Sequence, residues 1–263
     1  KPLFIDAARI AENAYFIRQA QQNAGLPCHS VADIIREIMS HADGCLMSCK
    51  KDALANMGGL ISLNDSALCA QLRQSMVITE GFPSYGGLSG RDLEAVAAGL
   101  AEVTDIDYLN HRWQTAMTLA EDLQAENIPV VVPPAMHAIY IDASKFLSHL
   151  PAEQLPGQTL ACELYIVAGI RTCEIGKVMF GDDCPRPDLI RLAMPRRVYT
   201  GNHYKYVVEA LKIVWERRAL IEGMKITRNR EVPMRHFIAD FAPIRQKRSH
   251  IGVPAALNYE VVR

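Results

Sequence analysis

Apolar residues recur along the chain with two spacings, one of two and one of three or four. Pro2-Leu3-Phe4-Ile5-Asp6 reads as a short buried strand ending in a carboxylate. A helix is expected over about 7–23, closed by Gly25 and Pro27. Val31, Ile34, Ile35 and Ile38 then fall on one helical face behind Ser30, whose hydroxyl can cap the first turn. Gly44–Cys49 is strand-like and runs into Lys50-Lys51-Asp52. Beyond the loop Phe82–Gly90, Ser89 and Asp92 make a capping-box start, and Thr104 and Asp107 repeat it. The helix opened by the second box carries Ile106, Leu109, Trp113, Met117, Ala120 and Leu123 at intervals of three or four, and is long enough to join two domains.

Past that helix the texture changes. Residues 128–132 and 138–142 read as strands around Pro133-Pro134. A helix is expected at about 158–168, strands at 170–175 and 189–194, and a helix at 202–221 with Tyr206, Val207, Ala210, Leu211, Val214 and Trp215 facing inward. Strands alternating with helices predict α/β for the first part and a smaller α+β domain for the second. The expected division is 1–104 and 105–263, with the long helix as the connection.

Composition narrows the function classes. Lys and Arg number 28, Asp and Glu 29, and the formal net charge is −1, which excludes a polybasic nucleic-acid or membrane-surface binder as the default. Hydrophobic residues make up 49% and charged residues 22%, the balance of a folded chain. The longest stretch without Asp, Glu, Lys or Arg is Asn127–Ile141, 15 residues broken by Pro129, Pro133 and Pro134, too short to span a bilayer as a helix. No signal peptide is visible, and a chain opening on an apolar run without Met is expected to continue upstream. Seven scattered Cys without a C-x-x-C pair fit reduced thiols in a cytoplasm.

Four places carry candidate chemistry. Lys50-Lys51 is a solvated turn on composition alone. Its place at a strand end, after Ser48 and before Asn56, Gly58 and Gly59, also suits an amine nucleophile, because an adjacent cation lowers a lysine's pKa. Asp6 is either a helix cap or an acid that pairs with a cationic heterocycle, and Arg9 follows it. Arg191 interrupts Leu189-Ile190-Arg191-Leu192-Ala193-Met194, so it needs an anion, supplied by a structural salt bridge or by a bound carboxylate. His236, in Met234-Arg235-His236-Phe237, reads first as a packing or surface group. Gly86-Gly87 and Gly90 precede a helix but match neither the dinucleotide nor the Walker pattern.

Taken together, these segments resemble the β-eliminating lyases, the family of tryptophanase and tyrosine phenol-lyase. The resemblance is carried by Phe4–Arg9 with Glu12–Ile17, Ala42–Asp52, Gly81–Glu94, Arg191–Thr200 and Arg235-His236-Phe237. It runs from about residue 3 to about 243, and the tail 246–263 has no counterpart. It implies the aspartate-aminotransferase type of fold (fold type I) and pyridoxal 5'-phosphate as cofactor. It further implies that Lys51 bonds the cofactor aldehyde and serves as a base, with Lys50 setting the charge beside it. Ser48 would bind the cofactor phosphate, Asp6 the ring nitrogen, and Arg9 would lie near the ring hydroxyl. By the same resemblance Tyr85 is an active-site tyrosine, Asn56 belongs to a monovalent-cation (potassium) site, and Arg191 clamps the substrate carboxylate.

Phenol-lyases carry arginine in place of Ile175 and phenylalanine in place of His236, so both positions favour the tryptophanase branch, acting on tryptophan. Ala135-Met136 departs from the family's Gly-Gly before His137. The family chain is much longer on the N-terminal side, so this chain is expected to be a C-terminal portion that binds the cofactor poorly alone, and the full-length protein a cytoplasmic homotetramer. The alternatives are a tyrosine phenol-lyase, another pyridoxal-phosphate lyase or transferase, and a non-catalytic chain that only packs with a partner.

Overall fold

The computed structural model describes residues 1–244, so the expectation about tail 246–263 lies outside the described residues. The chain forms two compact α/β units, Lys1–Arg112 and Trp113 onward.

In the first unit the order is β1 (Phe4–Asp6), α1 (Ile10–Asn23), α2 (Val31–Ser40), β2 (Gly44–Ser48), β3 (Gly59–Leu63), α3 (Ser66–Thr79), α4 (Gly90–Glu102) and the start of α5 (Ile106–Ala125). The sheet order is β1-β2-β3, with β1 parallel and β3 antiparallel to β2. Ser30 caps α2 as expected, its hydroxyl accepting from Asp33 N at 3.1 Å. Ser89 caps α4, while the Asp92 carboxylate accepts from the Ser89 hydroxyl at 2.6 Å. At α5 the cap is Asp105, which accepts from Tyr108 N at 2.8 Å; the Thr104 hydroxyl donates instead to the Ala101 carbonyl, closing the preceding turn.

One face of this sheet is packed. Cys45 and Met47 are buried with Ala7, Ile10, Cys49 and Ala53, backed by Ile5, Ile35, Ile38 and Met39. The other face leaves Phe4, Leu46 and Ile61 37%, 46% and 52% exposed. This corrects the buried reading of the first strand: β1 lies at the sheet edge, and its Phe4 and Asp6 belong to the open face. Nothing in the pattern announced β3 or α3. Leu68, Leu72 and Met76 are half-buried along α3 while Val77 and Ile78 are exposed, so no clean polar face marks it.

In the second unit α5 continues into β4 (Ala138–Asp142), α6 (Ala143–Phe146), α7 (Pro156–Ala168), β5 (Cys173–Ile175), α8 (Lys177–Phe180), β6 (Leu189–Ala193), α9 (Gly201–Glu216), β7 (Met224–Arg228) and β8 (Asp240–Pro243). The sheet β4-β6-β5 is antiparallel throughout. Ile139, Ile141, Ile190 and Leu192 pack into a core with Leu119 and Leu123 of α5, Leu160 and Leu164 of α7, and Leu211 and Val214 of α9. The strand expected at 128–132 is only a bridge between Val130 and Ile141, because Pro129 and Pro133 have no amide hydrogen to extend a ladder. The helix expected to reach 221 stops at Glu216 and gives way to a 3₁₀ turn at 218–220. Among the described residues no helix is long and apolar enough to cross a membrane.

Gly99 is where α4 meets the segment after the lysines. A Cβ there would lie 1.7 Å from the Ala53 carbonyl oxygen, so the helix backbone rides directly on that segment. Gly99→Ala gains roughly 0.5–1 kcal/mol of helix propensity but must displace backbone, at about 1–3 kcal/mol or more. Thermal melting should show a Tm lowered by about 2–8 °C; an unchanged or raised Tm would contradict this packing.

Candidate active site

Since β1 and β2 are parallel, their carboxyl ends leave the sheet at one edge. Asp6 stands opposite Leu46, two residues before Ser48, and period-two alternation puts Asp6, Leu46 and Ser48 on the open face. At a strand spacing of about 4.8 Å, the Asp6 and Ser48 backbones are about 8 Å apart. The chain then turns: Lys51 N donates to the Ser48 carbonyl at 3.1 Å, Ala55 N to the Cys49 carbonyl at 3.0 Å, and Cys49 N to the Gly58 carbonyl at 3.0 Å. Lys50 is exposed and Lys51 half-buried in this turn, and Asn56 is exposed on it.

Asp6 does not cap α1, which begins four residues later; its Oδ1 accepts from Ala8 N at 3.0 Å in a local turn. Asp6 is exposed and has no ion pair among the described residues. Arg9 lies at the head of α1, 3.9 Å from the Glu12 carboxylate.

The group that binds these pieces together is Asp52, a residue the sequence presented only as the end of a charged run. It is buried, and its Oδ2 accepts from Ala11 N at 2.8 Å and Glu12 N at 3.2 Å, while its own amide donates to the Ala8 carbonyl at 3.1 Å. The residue after Lys51 thus caps α1 from 40 positions away. Burial pushes its carboxyl upward and the Glu12 charge adds to this, against the two amide bonds and Arg9. Its only sequence signal was an acid beside a strand end.

Tyr85 sits on an exposed loop closed by Gly81, Gly86 and Gly87, all at positive φ. A Cβ at Gly87 would lie 2.2 Å from the Glu80 carbonyl oxygen, so the loop closes only with glycine there. Phe82 meets Tyr85 edge-on with centroids 5.9 Å apart. Leu88, at the loop's far end, lies against Gly58 of the lysine turn.

In the second unit Tyr140, Arg191 and Cys173 stand in one row across the sheet, and Asp142, Leu189 and Ile175 in the next row on the same face. Arg191 and Ile175 therefore share a face, opposite to the one that packs into the core. The salt-bridge reading of Arg191 is not realised: it has no ion pair among the described residues, and its buried Nε has no hydrogen-bond partner. Beside it the Tyr140 hydroxyl lies 3.3 Å from His137 Nε2. His236 occupies a 3₁₀ turn, Arg235–Phe237, with its ring centroid 4.0 Å from that of Phe237 and a buried Nδ1 that lacks a partner.

Two buried acids lie beside Ile175, Glu174 as its neighbour in the chain and Asp188 next to its cross-strand partner Leu189. Glu174 accepts from Val178 N and Met179 N, each at 3.2 Å, and Asp188 accepts from Lys177 N at 2.9 Å. Burial pushes the Glu174 carboxyl up to about 7, with the Asp188 charge adding and the helix amides opposing.

Residues 1–210 match the β-eliminating lyase family. The chain is 49% identical to the tryptophanase of Hyphomonas neptunium over 248 residues, covering 92% of this chain and 54% of that protein. It is 48% identical to the tryptophanase of Salinibacter ruber and 44% identical to the tyrosine phenol-lyase of Intrasporangium calvum, in both cases covering 92% of this chain and 52% of the relative. The chain thus spans about half the length of the relatives it matches.

Glu174 generates a pH signature. An unfolded chain loses this proton near 4.5, whereas the folded chain keeps it to about 7. Its contribution to stability is therefore fully present below pH 4.5 and is lost as pH rises to 7, by about 3 kcal/mol at roughly 1.4 kcal/mol per tenfold. Urea melts of wild type and Glu174→Gln, compared across that range, should show the decline in the wild type and its absence in the variant. Parallel curves would refute the buried-acid assignment.

Proposed function

The chain belongs to the β-eliminating lyase family, and on that premise we propose that it carries part of the active site of a pyridoxal-phosphate enzyme that splits L-tryptophan, with water, into indole, pyruvate and ammonia. The observation that carries the substrate reading is the open sheet face of the second unit. There a guanidinium without an anionic partner, Arg191, shares a surface with apolar Ile175. An amino acid with an apolar aromatic side chain presents the matching pair of groups. The two tryptophanases are also more similar to the chain than the phenol-lyase is.

The residues of the first unit fit the cofactor. Pyridoxal phosphate calls for an amine at its aldehyde, an acid at its ring nitrogen and donors at its phosphate. Lys51, Asp6 and Ser48 are those chemistries, at the carboxyl edge of two parallel strands, and Asp6 has no ion pair among the described residues to compete. When bound, the cofactor acts as an electron sink that acidifies the Cα–H of the amino acid.

The chain's own residues then have these tasks. Asp6 would keep a proton on the ring nitrogen, and Arg9 would serve the ring hydroxyl. Lys50 sets the charge beside Lys51, whose Nζ accepts the Cα proton. Arg191 holds the carboxylate in a charge-assisted, bidentate grip that fixes which Cα bond breaks. The leaving indole needs a proton at C3; Tyr85 is proposed as the active-site tyrosine that serves that end, His236 as a group that assists binding or proton movement near the indole, and Ile175 as the apolar residue suited to it. Asn56 is proposed to contribute to a potassium site, and the full-length protein to form a homotetramer.

Product analysis on the cofactor-loaded, full-length enzyme tests this. Indole should appear from tryptophan, with little phenol from tyrosine; phenol alone would move the protein to the other branch, and neither product would refute the reading. Borohydride reduction followed by peptide mapping should label Lys51. Arg191→Lys should lose roughly 10- to 100-fold in kcat/KM, the worth of a lost charged hydrogen bond.

A further inference from the structure

α8 is a single turn, and it is tied at both ends. Its first amides donate to the buried Glu174 and Asp188 carboxylates. Two of its carbonyls accept from one side chain: Arg235 donates from Nε to the Val178 carbonyl at 3.0 Å and from Nη2 to the Lys177 carbonyl at 2.6 Å, the latter shared with the Gly181 amide. The same Nη2 reaches Asp182 at 2.8 Å, and Nη1 donates to the Arg230 carbonyl at 3.1 Å. Arg230 also pairs with Asp182. Burial works against the Asp182 carboxylate, yet the two guanidiniums outweigh it and hold its pKa below the ordinary range. The Arg235 side chain is 11% exposed, so this is a packed clamp rather than a surface ion pair.

The clamp links two places that are far apart in sequence. Gly176 alone separates Ile175 from α8, and a Cβ there would lie 2.3 Å from Asp188 Oδ1, so the junction has no slack. Gly157 of α7 faces both acids, with Glu174 Cγ 3.1 Å and Asp188 Cβ 3.3 Å from where its Cβ would be. At the other end, Arg235 is the residue before His236, whose buried Nδ1 lacks a partner. Residues 175 and 236 therefore stand at the two ends of one bonded path: strand end, short helix, guanidinium, histidine.

We propose that Arg235 is a positioning residue: it suspends the turn carrying His236 from the helix that follows Ile175, so that the two side chains assigned to the aromatic part of the substrate are held as one unit. The roles of Ile175 and His236 rest on the function proposed above; the suspension itself does not. A lysine cannot replace this arginine, because one ammonium cannot span two successive carbonyls and a carboxylate in a fixed fork. Arg235 itself touches neither substrate nor cofactor in this scheme.

Two readouts on the cofactor-loaded enzyme test it, in wild type, Arg235→Gln and Arg235→Lys. The first is the ring resonance of His236 by NMR, assigned by its loss in His236→Asn. The second is the pair of dissociation constants for L-tryptophan and L-alanine, which share the amino-acid end and differ in the aromatic group. Both Arg235 variants should move the His236 resonance and weaken tryptophan about tenfold while leaving alanine within about twofold. An unmoved resonance, or equal weakening of both amino acids, would overturn the positioning role. A wild type that binds both amino acids equally well would sink the aromatic-substrate reading instead, and the resonance alone would then decide on Arg235. If Arg235→Gln does not fold, Asp182→Asn removes one anchor of the clamp and should act in the same direction to a smaller extent; no effect on either readout would again overturn the proposal.

Discussion

Because β1 and β2 run side by side in the same direction, whatever follows each strand emerges at a common edge, and Asp6, Arg9, Ser48 and the two lysines gather there without being neighbours in sequence. Three residue pairs of parallel ladder are a weak joint alone. The buried Asp52 carboxylate reinforces it, satisfying two of the amides that the first turn of α1 leaves without helical partners. A charge is costly to bury, and the capped amides are what make this one tolerable. The lysine turn and the first turn of α1 are consequently one structural piece.

The second unit reaches its candidate site by a different device. An antiparallel sheet with one face in the core leaves the other for function. Arg191 lies in the central strand of that sheet, flanked by Tyr140 and Cys173. Leaving its Nε buried and unbonded costs about 1–3 kcal/mol, a penalty that a bound carboxylate would relieve. Beside the same strands, the Glu174 and Asp188 carboxyl groups accept from the amides of α8. Acidic groups thus hold the frame, and the guanidinium on the open face stays without an internal partner.

Much of the secondary structure could be read from spacing. The helices at 31–40 and 90–102 and the strands at 44–48 and 189–193 follow from caps and apolar periodicity, because those signals are local, whereas the first helix, expected from about 7, begins at Ile10 with no side-chain cap of its own. What failed was nonlocal or unpatterned. Helix α3 has no clean polar face, the segment at 128–132 was apolar but broken by prolines, and Asp105 rather than Thr104 caps α5 because helix starts are decided by a single backbone turn. Of the candidate residues, Lys50, Lys51, Asp6 and Arg191 were visible as charges at the ends or in the middle of apolar strands. Asp52, Glu174, Asp188 and Arg235 were not, since a buried acid or a clamping arginine has the same letter as a solvated one.

The sequence by itself determined the chemistry available to this chain: which side chains it carries, which strands and helices hold them, and the family to which their order belongs. Only the tertiary structure decided that the first strand pairs in parallel with the second, that Asp52 closes on a helix 40 residues upstream, and that Arg191 finds no internal anion. Those facts depend on which groups lose their water together. Desolvation is a property of the packed chain, and no local stretch of residues contains it.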